Sequence, residues 1–261
     1  MNLRQVRSID QRLDATFSFY KENFSGFLKI YSKTSLPLIV LGALLGLGNF
    51  SALVTASGGD NLISLIASVG GIMVNVGSII MALQTIVAMM FYQKNGTLGD
   101  SETVYAYAKD EFWAYVGISI LLGFGVVLGF IFLIIPGIFL AVAWSVVLPA
   151  KIIEELGIGA AFSKSRYLVR DNWWNTFGFF IIIGLIVWVV GVLASLPLLA
   201  QMGLSIFSGI EVGLWAYVYY PVMTVVSNLI NMLTIVGMVL TYYHLLALKE
   251  PIGMEDEISS F

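Results

Sequence analysis

Residues Ile118–Ile135 read ISILLGFGVVLGFIFLII, an apolar run without a single charge. About 18 such residues suffice for one transmembrane helix. Strands of a membrane barrel would alternate apolar and polar residues over about ten positions. This run does not alternate, so it predicts a helix in lipid. The rest of the chain agrees. Of 261 residues, 59% belong to the hydrophobic set and only 11% are charged, and the mean hydropathy is +0.91. Ordinary soluble domains hold about 45–50% apolar and about 25% charged residues. A soluble globule must keep much of its surface wet, which excludes a soluble enzyme. Disorder requires low hydrophobicity and high charge, and is excluded as well.

Three stretches carry no Lys or Arg: Thr34–Tyr92, Phe112–Ala150 and Phe177–Leu248. Each is too long for one crossing and suits two. The first is divided by Ser57-Gly58-Gly59-Asp60-Asn61, the second by the turn pair Pro136-Gly137, and the third around Gly203–Gly213, which holds Glu211. Six spans follow, at about 36–56, 69–92, 112–135, 137–151, 177–198 and 221–246. The fourth is short, and a partly re-entrant hairpin over 112–151 is the alternative. Six spans place all 13 Lys and Arg on one side and leave Asp60 and Glu211 in the connections opposite. Five or seven would break that segregation. The positive-inside rule makes the basic side cytoplasmic. The expectation is therefore an all-α polytopic membrane protein of a bacterial inner membrane, with both termini cytoplasmic. The first 35 residues hold no apolar core of a signal peptide, so no cleavage is expected.

Self-similarity adds internal order. Lys109-Asp110-Glu111-Phe112-Trp113 corresponds to Arg170-Asp171-Asn172-Trp173-Trp174, and Lys21-Glu22-Asn23-Phe24 makes a third, shorter copy. Gly117 and Gly178, Gly123 and Gly184, and Gly96 and Gly157 keep the same offset. Each copy follows an amphipathic stretch. Ile9, Leu13, Phe17, Tyr20, Phe24, Phe27 and Tyr31 form an apolar stripe before and through the first copy, at helical spacing. Such stretches predict helices lying in the cytoplasmic interface. The inferred organisation is an amphipathic N-terminal region at 1–35, a six-span membrane domain at 36–248 and an acidic tail at 249–261. Three hairpin units follow, at about 1–92, 93–151 and 152–248, each with its interfacial helix.

Ile135-Pro136-Gly137-Ile138, Pro149, Glu154-Glu155-Leu156-Gly157, Ala160-Ala161, Ser163, Ser165 and Trp173-Trp174 together resemble the glycerophosphoryl diester phosphodiesterase membrane-domain family, and related six-span bacterial families of unknown function. Tyr242–Lys249 also resembles that family's closing Tyr-rich segment, although His244 stands there without an acidic-Arg pair. The resemblance implies a membrane module. The family's phosphodiesterase activity belongs to a separate soluble domain with His and carboxylate ligands, and nothing of that kind is implied for this chain.

Candidate chemistry is sparse. With no Cys and one His, Cys-ligated and His-rich metal sites are excluded, and no cofactor is expected. His244, beside Tyr242 and Tyr243, lacks a nearby nucleophile and reads as a satisfied interfacial side chain, so no enzyme activity is expected. Thr224, Ser227, Asn228, Asn231 and Thr234 share one face of the last span, with Asn75 and Gln84 as partners from the second. These amides predict either interhelical hydrogen bonds or a polar site between spans two and six, as in a transporter or lipid-moving protein. Gly42/Gly46 and Gly125/Gly129 have close-packing spacing. Lys164, Arg166, Arg170, Lys21 and Lys109 are candidate contacts for anionic lipid headgroups. Acidic neighbours such as Asp10, Asp14, Glu22, Glu154 and Glu155 dilute the basic field, so nucleic acid is not an expected partner. The expected function is a non-enzymatic integral membrane module that binds lipid or partner proteins, including further copies of itself.

Overall fold

The computed structural model describes residues 1–48, 61–132, 134–208 and 213–250. The break at Ser57–Asp60, Glu211, the end of the first expected span and nearly all of the acidic tail lie outside them. Among the described residues there is no strand. Helix α1 covers Ile9–Glu22, α2 Phe24–Ser32 and α3 Ser35–Leu45. Helix α4 covers Asn61–Asn95, α5 Ser101–Asp110 and α6 Phe112–Phe132. Helix α7 covers Ile134–Ala143, α8 Val147–Ile153 and α9 Ile158–Val169. A single 3-10 turn, Arg170–Asn172, leads into α10 at Trp173–Ser208, and α11 covers Leu214–Lys249. Five helical stretches are long and apolar enough to cross a membrane: Asn61–Asn95, Phe112–Ile131, Ile134–Ile153, Ile158–Ser205 and Leu214–Lys249. The pair α2 and α3, bent by 68°, makes a sixth when it is counted as one broken span. The protein is an all-α polytopic membrane protein.

All three basic-acidic-polar-aromatic segments stand at helix junctions. Asn23 separates α1 from α2, Glu111 separates α5 from α6, and the 3-10 turn separates α9 from α10. Each aromatic (Phe24, Phe112, Trp173) opens the following helix.

The Pro136-Gly137 turn is corrected. Both residues lie inside the first turn of α7, which begins at Ile134, while α6 ends at Phe132. Proline is tolerated there because a helix's first N–H groups have no intrahelical acceptor. Gly137 does something else: its Cα and N lie 2.7 and 2.8 Å from where a Cβ on Gly129 would stand. The Gly125/Gly129 spacing thus seats α6 on α7, with Trp144 over Gly125. The fourth expected span is also interrupted, since α7 ends at Ala143 and α8 begins at Val147. Gly203 lies within α10, and Gly213 is the N-cap of α11.

The tightest seam joins α3 to α4. A Cβ on Gly42 would meet Gly70 O at 2.6 Å, and one on Gly70 would meet Gly42 O at 2.5 Å and Gly46 N at 2.6 Å. Backbones touch here because neither side has a side chain to intervene. Further along, Gln84 is fully buried, accepting from Ser35 Oγ at 2.8 Å and donating to Thr34 Oγ1 at 2.9 Å. Tyr31 and Thr85 hydroxyls pair at 2.7 Å. Every residue from Met81 to Met90 of α4, and from Val236 to Leu246 of α11, is buried. The packed core therefore sits at one end of the long helices, the end that carries the charges.

That end is strapped by the N-terminal segment. The Met1 ammonium donates to Tyr92 Oη at 2.7 Å, Leu3 N–H to Gln93 Oε1 at 2.8 Å, and Arg4 Nη2 to Glu250 O at 2.5 Å. Helix α1 departs from the expected stripe by about one residue: Arg12, Ala15, Thr16, Phe19 and Tyr20 are buried, while Phe17 faces out. It docks on α10 and α11, so protein contacts select its buried face. Between α4 and α5, Gly96 and Gly99 take φ of 75° and 82°, values that favour glycine. Asp100 then caps α5 by accepting from Glu102 N and Thr103 N at 3.0 Å. The Thr103 and Glu102 hydrogen bonds hold its pKa below the ordinary carboxylate value.

Candidate functional site

Helix α9 buries Ala161, Ser165, Leu168 and Val169. Arg166 and Arg170, one turn apart, share the opposite face and are both exposed. Arg170 lines a cavity of about 770 Å³ with Ile135, Ile138, Phe139, Asp171, Trp173 and Phe177, among others. A smaller cavity of about 280 Å³ shares Phe139, Arg170 and Trp173 and adds Arg166. Together they form a groove with an apolar floor and a polar rim that holds Arg166, Arg170, Asn172, Asn175 and Asp171, the last paired with Lys249.

Aromatic packing shapes the floor. Phe139 and Trp173 stack with centroids 5.9 Å apart and planes 12° apart, and Trp173 stacks on Phe177 at 5.1 Å. Trp173 Nε1–H donates to Phe139 O at 3.3 Å, which ties the start of α10 to α7. Arg166 sits 6.0 Å from the centroid of Trp144, at the limit of cation–π contact. Neither Arg166 nor Arg170 forms an ion pair among the described residues; neighbouring Asp171 is paired with Lys249.

The other expected headgroup contacts lie elsewhere. Lys164 is held between Glu154 Oε1 at 3.1 Å and Glu250 Oε1 at 2.7 Å, with its side chain only 19% exposed. It belongs to a protein ion-pair network, which Tyr242 joins by donating to Glu154 at 2.5 Å. Lys21 and Lys109 are exposed in the last turns of α1 and α5 and line neither cavity.

The amide cluster is divided among separate places. Ser78 Oγ donates to Asn228 Oδ1 at 2.5 Å, linking α4 to α11, and Asn228 Nδ2 donates back to Thr224 O. Gln84 pairs with Ser35 and Thr34 instead. Asn75 is exposed and donates to Gly71 O in its own helix. Ser227 is half-buried. Asn231 and Thr234 open onto a groove of about 510 Å³ against Gly184, Trp188 and Gly191 of α10. Asn75, Asn228 and Asn231 are thus not gathered around one space between α4 and α11.

Two arginines missed as site candidates are the most deeply placed charges. Arg12 is fully buried. Its Nη1 donates to Thr241 Oγ1 at 3.4 Å and its Nη2 to the Asn175 side-chain and backbone oxygens, while its guanidinium lies 4.7 Å from the Phe179 centroid. Burial lowers its pKa to about 10, so it remains a cation at neutral pH. No carboxylate lies within ion-pair distance among the described residues. Arg7, also buried, is wrapped by Leu3 O at 2.9 Å and Asn2 O at 2.5 Å, and burial lowers its pKa. Its backbone N–H donates to His244 Nδ1 at 3.0 Å, so His244 is satisfied as an acceptor. A signal was present: Arg12 is one helical repeat before Phe19, on its face. No family model, curated protein or solved structure matches the chain.

Proposed function

We propose that this protein is a non-enzymatic membrane module that holds anionic phospholipid, with Arg166 and Arg170 on the headgroup phosphate and the acyl chains along Ile135, Ile138 and Phe139. The observation that carries this reading is the groove itself: two arginines outside any ion pair stand over an apolar and aromatic floor. Arginine suits phosphate because its planar fork donates two parallel hydrogen bonds. In this reading the charged end faces the cytoplasm of a bacterial inner membrane, in keeping with the positive-inside rule. The three helix junctions built on one residue pattern support three related units. The resemblance to the phosphodiesterase membrane domains fits a module of this kind, without the hydrolase.

The test measures retention of phosphatidylglycerol against phosphatidylcholine by the purified protein in nanodiscs. Each basic residue near an anionic surface contributes about 1 kcal/mol, or roughly 5-fold. Arg166→Gln with Arg170→Gln is expected to lower the preference by more than 10-fold, on the order of the two contributions combined. Unchanged preference in that variant, with loss in Lys21→Gln and Lys109→Gln, would overturn the assignment.

A further inference from the structure

Helix α6 is about 31 Å long at 1.5 Å per residue, enough to cross the hydrocarbon core. Its two ends nevertheless meet the same polar layer. At its start, Glu111 accepts from Lys151 Nζ at 2.8 Å. Three residues beyond Lys151, Glu154 pairs with Lys164, Lys164 with Glu250, and adjacent Lys249 with Asp171. Arg170 and Asp171 then line one cavity with Ile135, Ile138 and Phe139, at the far tip of the α6–α7 hairpin. A helix crossing the bilayer would have about 30 Å of hydrocarbon between its ends; here ion pairs formed by neighbouring residues of one charged layer stand at both.

Packing agrees. From Ile118, α6 shares one apolar cluster with Val147, Ala161, Phe162 and Trp144, side chains of α8, α9 and the bend before α8. Its hairpin partner α7 lies against amphipathic α9, whose apolar face is turned toward the protein. On the outer sides of the hairpin Ile120, Phe124 and Ile131 of α6 and Ile134 and Ile135 of α7 are 64–79% exposed. Water cannot cover such a surface, and Phe112–Ala150 contains no charge to keep it wet.

We infer that α6 and α7 form an in-plane hairpin whose partner is the acyl-chain layer of the leaflet on the charged side, and that neither helix reaches the opposite face. The crossings are then the segment begun by α3, α4, α10 and α11, an even number that keeps both termini together. The hairpin is a wedge of apolar side chains occupying area in one leaflet only. This placement does not rest on headgroup binding: a lipid preference could vanish while the hairpin stayed where it is.

The absence of cysteine gives a clean background for testing it. Single cysteines replace Ile131 and, separately, Ile134, in full-length protein reconstituted in sealed vesicles. Asn95→Cys marks the charged side and Ser208→Cys the other. Impermeant maleimide assigns the two marker cysteines to their sides, each tip cysteine carries a fluorophore attached before reconstitution, and gel filtration confirms folding of every variant. Both tip positions are exposed, so substitution there disturbs no packing. Brominated lipids, placed in one leaflet at a time and brominated near the headgroup or near the chain end, then quench the tip fluorophores. The expected result is strongest quenching of both tips by lipids brominated near the headgroup in the Asn95-side leaflet. Strongest quenching from the Ser208-side leaflet, or by bromines at the chain ends, would overturn the inference: the first means a crossing, the second a tip buried at mid-bilayer.

Discussion

The two halves of α4 have different neighbours. From Met81 to Met90 every residue is covered by protein, whereas Leu62, Ile63, Leu65, Ile66, Val69 and Ile72 face outward. The residue types are similar, because lipid tails are as apolar as a protein core. What separates the halves is polar and small residues. The buried half carries Gln84 and Thr85, both bonded to other helices. The transition carries Gly70 and Gly77 against α3. The outward half has no such device toward its exposed face. In a membrane, burial against protein is marked by hydrogen bonds and backbone proximity rather than by hydrophobicity.

The largest test of that contrast is at Gly70. Gly70→Leu drives a side chain into the α3 backbone and is expected to lower stability by about 3 kcal/mol, the upper end of overpacking costs. Gly71→Leu, where a Cβ has open space, should change stability by less than about 0.5 kcal/mol. Reversible unfolding in mixed micelles reads the difference; equal effects would mean that the seam does not form. Next comes Arg12→Ala, which removes charged hydrogen bonds to Asn175 and Thr241 inside the capped end and should cost about 2 kcal/mol. Arg12→Met keeps the aliphatic bulk and should cost less, because a buried charge carries its own desolvation penalty. Thermal unfolding in detergent orders the two. The smallest pair compares amides on one helix. Gln84→Leu strands two hydroxyls and should cost about 1 kcal/mol, whereas exposed Asn75→Leu should leave the melting temperature unchanged or raise it.

Much of this was legible beforehand. Unbroken apolar runs implied helices, and the charge-free stretches located the long ones, although α4, α10 and α11 extend well beyond the expected ends. Gly42/Gly46 and Gly125/Gly129 were readable as close-packing pairs. Pro136-Gly137 was misread as a turn, since a proline in a first helical turn and one in a β-turn look alike in one dimension. Charge marked Lys164, Arg166 and Arg170 alike, and the sequence could not tell the paired lysine from the two arginines. The lysine's partners Glu154 and Glu250 are ten and 86 residues away, and only folding makes the ion pairs. The amides failed as a cluster for a related reason: a shared helical face is wide enough to send Asn228 to α4 and Asn231 to α10.

Composition by itself determined the solvent and the secondary structure, because a chain this apolar and this short of charge must satisfy its backbone within helices surrounded by lipid. Tertiary structure decided which apolar surface meets protein, which cations are paired among the described residues, and how α7 folds back on α6. Those outcomes depend on contacts between residues far apart along the chain. Hydropathy carries no trace of them, because core and lipid attract the same side chains.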